Sequence, residues 1–134
     1  MPNPAQMVKP RRNDYNTETT QGKLDYYSAM MEFCIIQAER YRANYTLGKI
    51  NVEEYAEEQY KTTVVFKRRP NDPIHSVAID NARRSAKFDY EKSVTGKALI
   101  ADNQDYQRQA DMYSGAISAM WSKVALNRTM VEKA

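Results

Sequence analysis

From Leu99 onward, apolar, small and amide residues recur at alternating four- and three-residue steps: Leu99, Asn103, Tyr106, Ala110, Tyr113, Ile117, Met120, Val124, Asn127 and Val131. Such spacing keeps one stripe of a helix turned toward a partner helix over many turns. A second stripe, Leu24, Tyr27, Met31, Cys34, Ala38, Tyr41 and Tyr45, steps in the same way, and Met30, Phe33 and Ile35 widen it. It predicts a first helix over 23–46 with a broad apolar face.

Punctuation between the stripes divides the rest of the chain. Gly48 reads as the C-cap of the first helix and Asn51 as the N-cap of the next, with Glu54 completing a capping box and Ile50 and Tyr55 placed as a hydrophobic staple. These signals predict a helical hairpin whose second arm covers 52–68 and buries Val52, Ala56, Gln59, Thr63 and Phe66. The run Thr62-Thr63-Val64-Val65-Phe66 is rich in strand-favouring residues, yet it continues the helical spacing without a turn residue. Pro70 and Pro73 then break the chain, and Asp72 as N-cap with Pro73 at the first helical position begins a third helix.

That third helix is expected over 73–131, with Gly96 as its candidate break. A glycine inside a helix costs only about 1 kcal/mol relative to alanine. If continuous, residues 74–131 make a rod about 87 Å long against about 35 Å for the first helix. The fold class is therefore all-α and coiled-coil-like: an N-terminal hairpin packed on a long C-terminal helix, or a four-helix bundle if the chain breaks at Gly96. Ahead of this 23–134 domain, residues 1–22 hold three prolines and little to bury, and are expected to be extended or disordered, or to order across a neighbouring subunit.

Composition narrows the function. The 134 residues include four leucines, ten tyrosines and three phenylalanines, so the stripes are built from Tyr, Ala and Met. Tyrosine packs its ring while its hydroxyl stays hydrated, which suits an interface better than a dry interior. The ten positions from Leu99 to Val131 are accordingly read as an oligomer interface, with Asn103 and Asn127 setting register and partner number. The single Cys excludes an intrachain disulfide framework. No run is apolar enough to span a membrane and no signal-peptide pattern opens the chain, so a soluble, cytosolically made protein is expected.

Candidate chemistry is sparse. His75 lies in the first turn of the third helix and reads as a capping or surface residue; with no second His, no metal site is expected. Cys34 sits on the first stripe as a small buried hydrophobe without an activating base. Glu53, Glu54, Glu57 and Glu58 form like-charged pairs at four-residue spacing, read as a solvated face or as a dock for a neighbour's cations. Lys67, Arg68, Arg69, Arg83, Arg84 and Lys87 are candidate nucleic-acid contacts, with Phe88 and Tyr90 close by for stacking. Asp80, Asp89 and Glu91 interrupt that patch, and the net charge is only +3.

No catalytic, cofactor or metal residues are therefore assigned, and no enzyme is expected. The leading expectation is a non-enzymatic structural or assembly protein that associates with itself or within a larger particle. A nucleic-acid-binding packaging or regulatory module is the alternative. In composition and helical layout, most of the chain is similar to helical virion components of tailed phages and helical parts of secretion apparatus, which implies incorporation in such a particle.

Overall fold

The computed structural model describes the backbone of residues 7–133 and the side chains of residues 7–126. Residues 1–6 of the expected arm and the side chains of Asn127 and Val131 lie outside the described residues. Within these bounds the protein is all-α, with long helices packed on one another: α1 (Thr20–Lys61), α2 (Val64–Arg68), α3 (Ile74–Lys92) and α4 (Val94–Lys133).

Residues 7–19, the described part of the arm expected to be extended or disordered over 1–22, pack on their own unit, with extended backbone at Arg11 and Tyr15. Residues Arg12–Asp14 make a 3-10 turn. Met7 packs against the cluster of Met30, Phe33, Cys34 and Ala110, and the Tyr15 ring meets Tyr26 edge-on at 5.6 Å. The Thr19 hydroxyl then accepts from the Gly22 N–H at 3.0 Å, and its carbonyl accepts from the Lys23 N–H at 3.1 Å. This is an N-cap, and it starts the helix three residues before the expected position. A Cβ on Gly22 would run into the Asn16 carbonyl, so the turn into α1 requires a residue without a side chain there.

The hairpin expected around Gly48 to Asn51 does not exist: α1 runs unbroken for 42 residues. Gly48 takes no left-handed conformation. Its missing side chain instead makes room for the Tyr90 ring and hydroxyl, which a Cβ would overlap. The glycine is a packing notch, and Asn51 and Glu54 are exposed mid-helix residues. The helix stops at the strand-favouring run. Thr62 and Thr63 turn their hydroxyls back onto the carbonyls of Gln59 at 2.6 Å and Tyr60 at 2.7 Å, and the Thr63 oxygen caps α2 by accepting from the Phe66 N–H at 3.4 Å. Hydroxyls that compete for helical carbonyls end the long helix within what was expected to be one element over 52–68.

The start of α3 follows the sequence. The Asp72 carboxylate accepts from the Ile74 N–H at 3.0 Å, and Pro73 has helical dihedrals. The break between α3 and α4 falls at Ser93, not at Gly96. Ser93 is extended (φ −68°, ψ 158°); its hydroxyl donates to the Tyr90 carbonyl at 2.6 Å and accepts from the Gly96 N–H at 3.0 Å. One serine thus closes one helix and caps the next. Gly96 is buried because the Tyr90 carbonyl occupies the space its Cβ would need.

Two compact units result: α1 to Arg40 with α4 from Asp102 and the segment before α1, and residues Tyr41–Ala101. In the first, α1 and α4 run antiparallel, since Tyr27 meets Tyr113, Phe33 meets Tyr106 and Ala38 meets Asn103. Leu24, Met30, Phe33, Cys34, Ala38 and Ala110 are buried there. In the second, α1 and α3 are also antiparallel: Tyr60 contacts His75, Glu57 contacts Arg83, and Tyr45 contacts Tyr90.

Candidate functional site

Four positions of the α4 stripe are occupied by α1 of the same chain, where a second chain had been expected. Asn103 is buried and donates through Nδ2 to the Ala38 carbonyl at 2.6 Å. A helical carbonyl already serves its own ladder, so this bond uses its second lone pair and locks one register between the two helices. Ala110 is buried beside Cys34, and the Tyr106 and Tyr113 rings stand against Phe33 at 6.2 Å and Tyr27 at 5.8 Å. Leu99 and Ile117 are half-buried. Met120 and Val124 line an open groove of about 460 Å³ with Tyr27, Lys23 and Lys123.

Cys34 is fully buried, its sulfur 3.9 Å from the Gln109 side-chain oxygen. Burial pushes its thiol pKa up, and the Asp105 carboxylate pushes the same way against the opposing effect of Lys9. Burial, the largest influence, outweighs Lys9 and disfavours the thiolate, so the site offers a packed hydrophobe and no nucleophile. Burial likewise raises Tyr113, with Tyr26 adding to the shift.

His75 overturns its expected capping or surface role. It is buried to 4% exposure, with Nε2 2.6 Å from the Arg69 carbonyl and Nδ1 2.6 Å from the Tyr60 hydroxyl. A carbonyl only accepts, so Nε2 carries a proton, and in a neutral ring Nδ1 accepts from Tyr60. The imidazole also stands 5.0 Å from Phe66 and 5.6 Å from Tyr60, centroid to centroid. It ties the end of α1, α2 and the start of α3 together. The Pro-flanked loop hid this role, because sequence spacing says nothing of which side chains a turn brings back onto the preceding helix.

The charged clusters separate. Arg83 is half-buried and reaches Glu57 at 3.2 Å and Glu53 at 3.7 Å. It neutralises one face of the glutamate run inside the chain and leaves the cationic patch expected for nucleic acid. Glu91 meets Lys49 at 3.5 Å. Lys67, Arg68, Arg69, Arg84 and Lys87 are exposed, and so are Glu54 and Glu58. Phe88 is exposed, with the Lys92 ammonium 4.1 Å from its ring centroid.

Beside these charges lies apolar surface. Val64, Val65, Ile74 and Val77 are each more than 60% exposed. An open groove of about 580 Å³ lies between α1 and α3, floored by Val52, Ala56, Ala86 and Tyr90 and flanked by Tyr55 and Asp89. Among the described residues no three His, Cys, Asp or Glu side chains converge to hold a metal, and no helix is long and apolar enough to cross a membrane. No protein-family model, curated protein or solved structure matches the chain.

Proposed function

We propose that this chain is a non-enzymatic helical assembly protein whose contacts with other subunits are made chiefly by the unit Tyr41–Ala101. One observation carries this reading: among its described residues that unit buries no apolar side chain, while Val64, Val65, Ile74, Val77, Phe88 and Val94 stand more than half exposed. Folded units gain most of their stability by removing apolar area from water, at roughly 25 cal/mol per Å². A unit that leaves these six side chains outside has that gain still to make, and a partner surface supplies it. Incorporation into a viral or secretion particle is the finer form of the same reading.

The test is absolute molar mass in solution across concentration and ionic strength. A mass well above the 15.5 kDa of the single chain, retained at high salt, is expected for contacts driven by apolar burial. A monomer at high concentration defeats self-assembly. Tight salt-sensitive binding of DNA or RNA, lost when Arg68 and Arg69 are replaced by alanine, would favour the nucleic-acid module instead.

A further inference from the structure

We infer that the α2 corner of one copy docks into the α1/α3 groove of a second copy, so that the chain assembles by a plug and a socket that both lie within residues 41–101. The inference rests on the assembly reading and adds which surfaces meet. The plug is Val64 and Val65, 63% and 66% exposed, followed by Lys67, Arg68 and Arg69. Phe66 between them is half-buried against Tyr60 and His75, so the corner is held from beneath while its valines face outward. The socket is the groove over Val52, Ala56, Ala86 and Tyr90, which is apolar along its floor and carries Asp89 at its side.

Length and charge both fit. Five residues of helix span about 7.5 Å, and the socket runs along about 10 Å of α1 from Val52 to Gln59, at about 1.5 Å per residue. The corner brings three positive charges in sequence. At the socket's side stands the exposed Asp89, whereas Glu53 and Glu57 are engaged by Arg83. The groove therefore presents one carboxylate, Asp89, where a basic apolar corner would arrive. Because plug and socket are different patches of one chain, the contact either propagates or closes into a ring or reciprocal pair.

Two surface variants test this. Val64→Asp with Val65→Asp removes the plug, and Tyr55→Lys, at a residue 67% exposed, blocks the socket with a charge that repels it. Neither position is buried, so circular dichroism should show helicity unchanged. Each variant alone should lose self-association at least about tenfold, the usual consequence of placing an uncompensated charge in an apolar contact. Mixed in equal amounts, the two should form a one-to-one complex, since the plug of one and the socket of the other are intact. If the wild type is oligomeric and both variants keep its mass, the contact lies elsewhere and only this inference fails. If each variant is monomeric but the mixture stays monomeric too, the two patches do not meet each other, and it also fails. A wild type that is monomeric throughout removes self-assembly and this contact together.

Discussion

The two units are built from the same kinds of helices, yet they bury opposite things. Around α1 and α4, Leu24, Met30, Phe33, Cys34, Ala38 and Ala110 are removed from water, and the small side chains among them let the helices approach closely. In Tyr41–Ala101 the buried side chain is a histidine, and around it are tyrosine and phenylalanine rings and ion pairs. The first unit is held by apolar area and two buried amides, Gln37 and Asn103. The second is held by directional contacts, which contribute about 1 kcal/mol each and leave Val64, Val65, Val77 and Val94 exposed. A pairing that satisfies itself and one that is left incomplete can thus be read from what each encloses.

Replacing His75 with alanine should break the comparison most strongly. It deletes two 2.6 Å hydrogen bonds and two ring contacts, leaves the Tyr60 hydroxyl and Arg69 carbonyl in search of partners, and should cost about 3 kcal/mol. The loss should be confined to one unit. Amide exchange would accelerate along α3 while residues 24–38 of α1 keep their protection, and equal protection of α3 in both proteins would show that the histidine does not serve as that unit's core.

The mirror experiment is Asn103→Ala in the other unit. Its amide donates to the Ala38 carbonyl from a buried position, and truncation removes the bond and leaves a cavity, for about 2 kcal/mol. A urea titration followed by circular dichroism would measure it, and an unchanged midpoint would mean that the amide sets no register.

What the sequence disclosed follows the same division. Where helices pair along a long stripe, three- and four-residue spacing finds the contacts: Cys34, Ala38, Asn103 and Ala110 all lie buried on the two stripes. The Asp72-Pro73 start was also legible, because a cap acts on its own turn. Gly48 was misleading because a glycine that ends a helix and a glycine that admits a neighbour's ring look identical in one dimension. Distant Tyr90 decides between them. Capping signals at Asn51 and Glu54 are worth about 1 kcal/mol, too little to break a ladder that packing supports. Ser93 does not stand out in the sequence because a serine hydroxyl is a weaker signal than the glycine three residues on. The pairing of Arg83 with Glu53 and Glu57 joins residues far apart in sequence, and charge pattern alone could not assign it.

Arg83→Ala should give a smaller effect, and it sharpens the contrast through salt. The guanidinium is about one-third exposed and meets two carboxylates, so its loss should cost about 1 kcal/mol, shrinking as ionic strength rises. Thermal unfolding at low and high salt would show the difference between wild type and variant narrowing. A difference independent of salt would assign the arginine's contribution to its packed aliphatic stem.

The weakest effect should appear only in alkali, and only in the apolar unit. Burial raises the pKa of Cys34 above its ordinary 9.0 and that of Tyr113 above its ordinary 10.0. Well below pH 9 both groups hold their protons in the folded and unfolded chain, so they bring no pH dependence there. Above that range the unfolded chain ionises first, which favours unfolding, and stability falls until the folded groups ionise as well. Chemical denaturation midpoints should therefore be flat near pH 7 and decline from about pH 8 upward. Cys34→Ala should delay the decline toward pH 10, where Tyr113 alone remains. The same burial should make Cys34 slow to react with a thiol reagent in native buffer and fast in denaturant. Rapid native labelling, or a decline unaltered by Cys34→Ala, would mean that the α1 and α4 faces open often enough to admit water, and the first unit would then be no better sealed than the second.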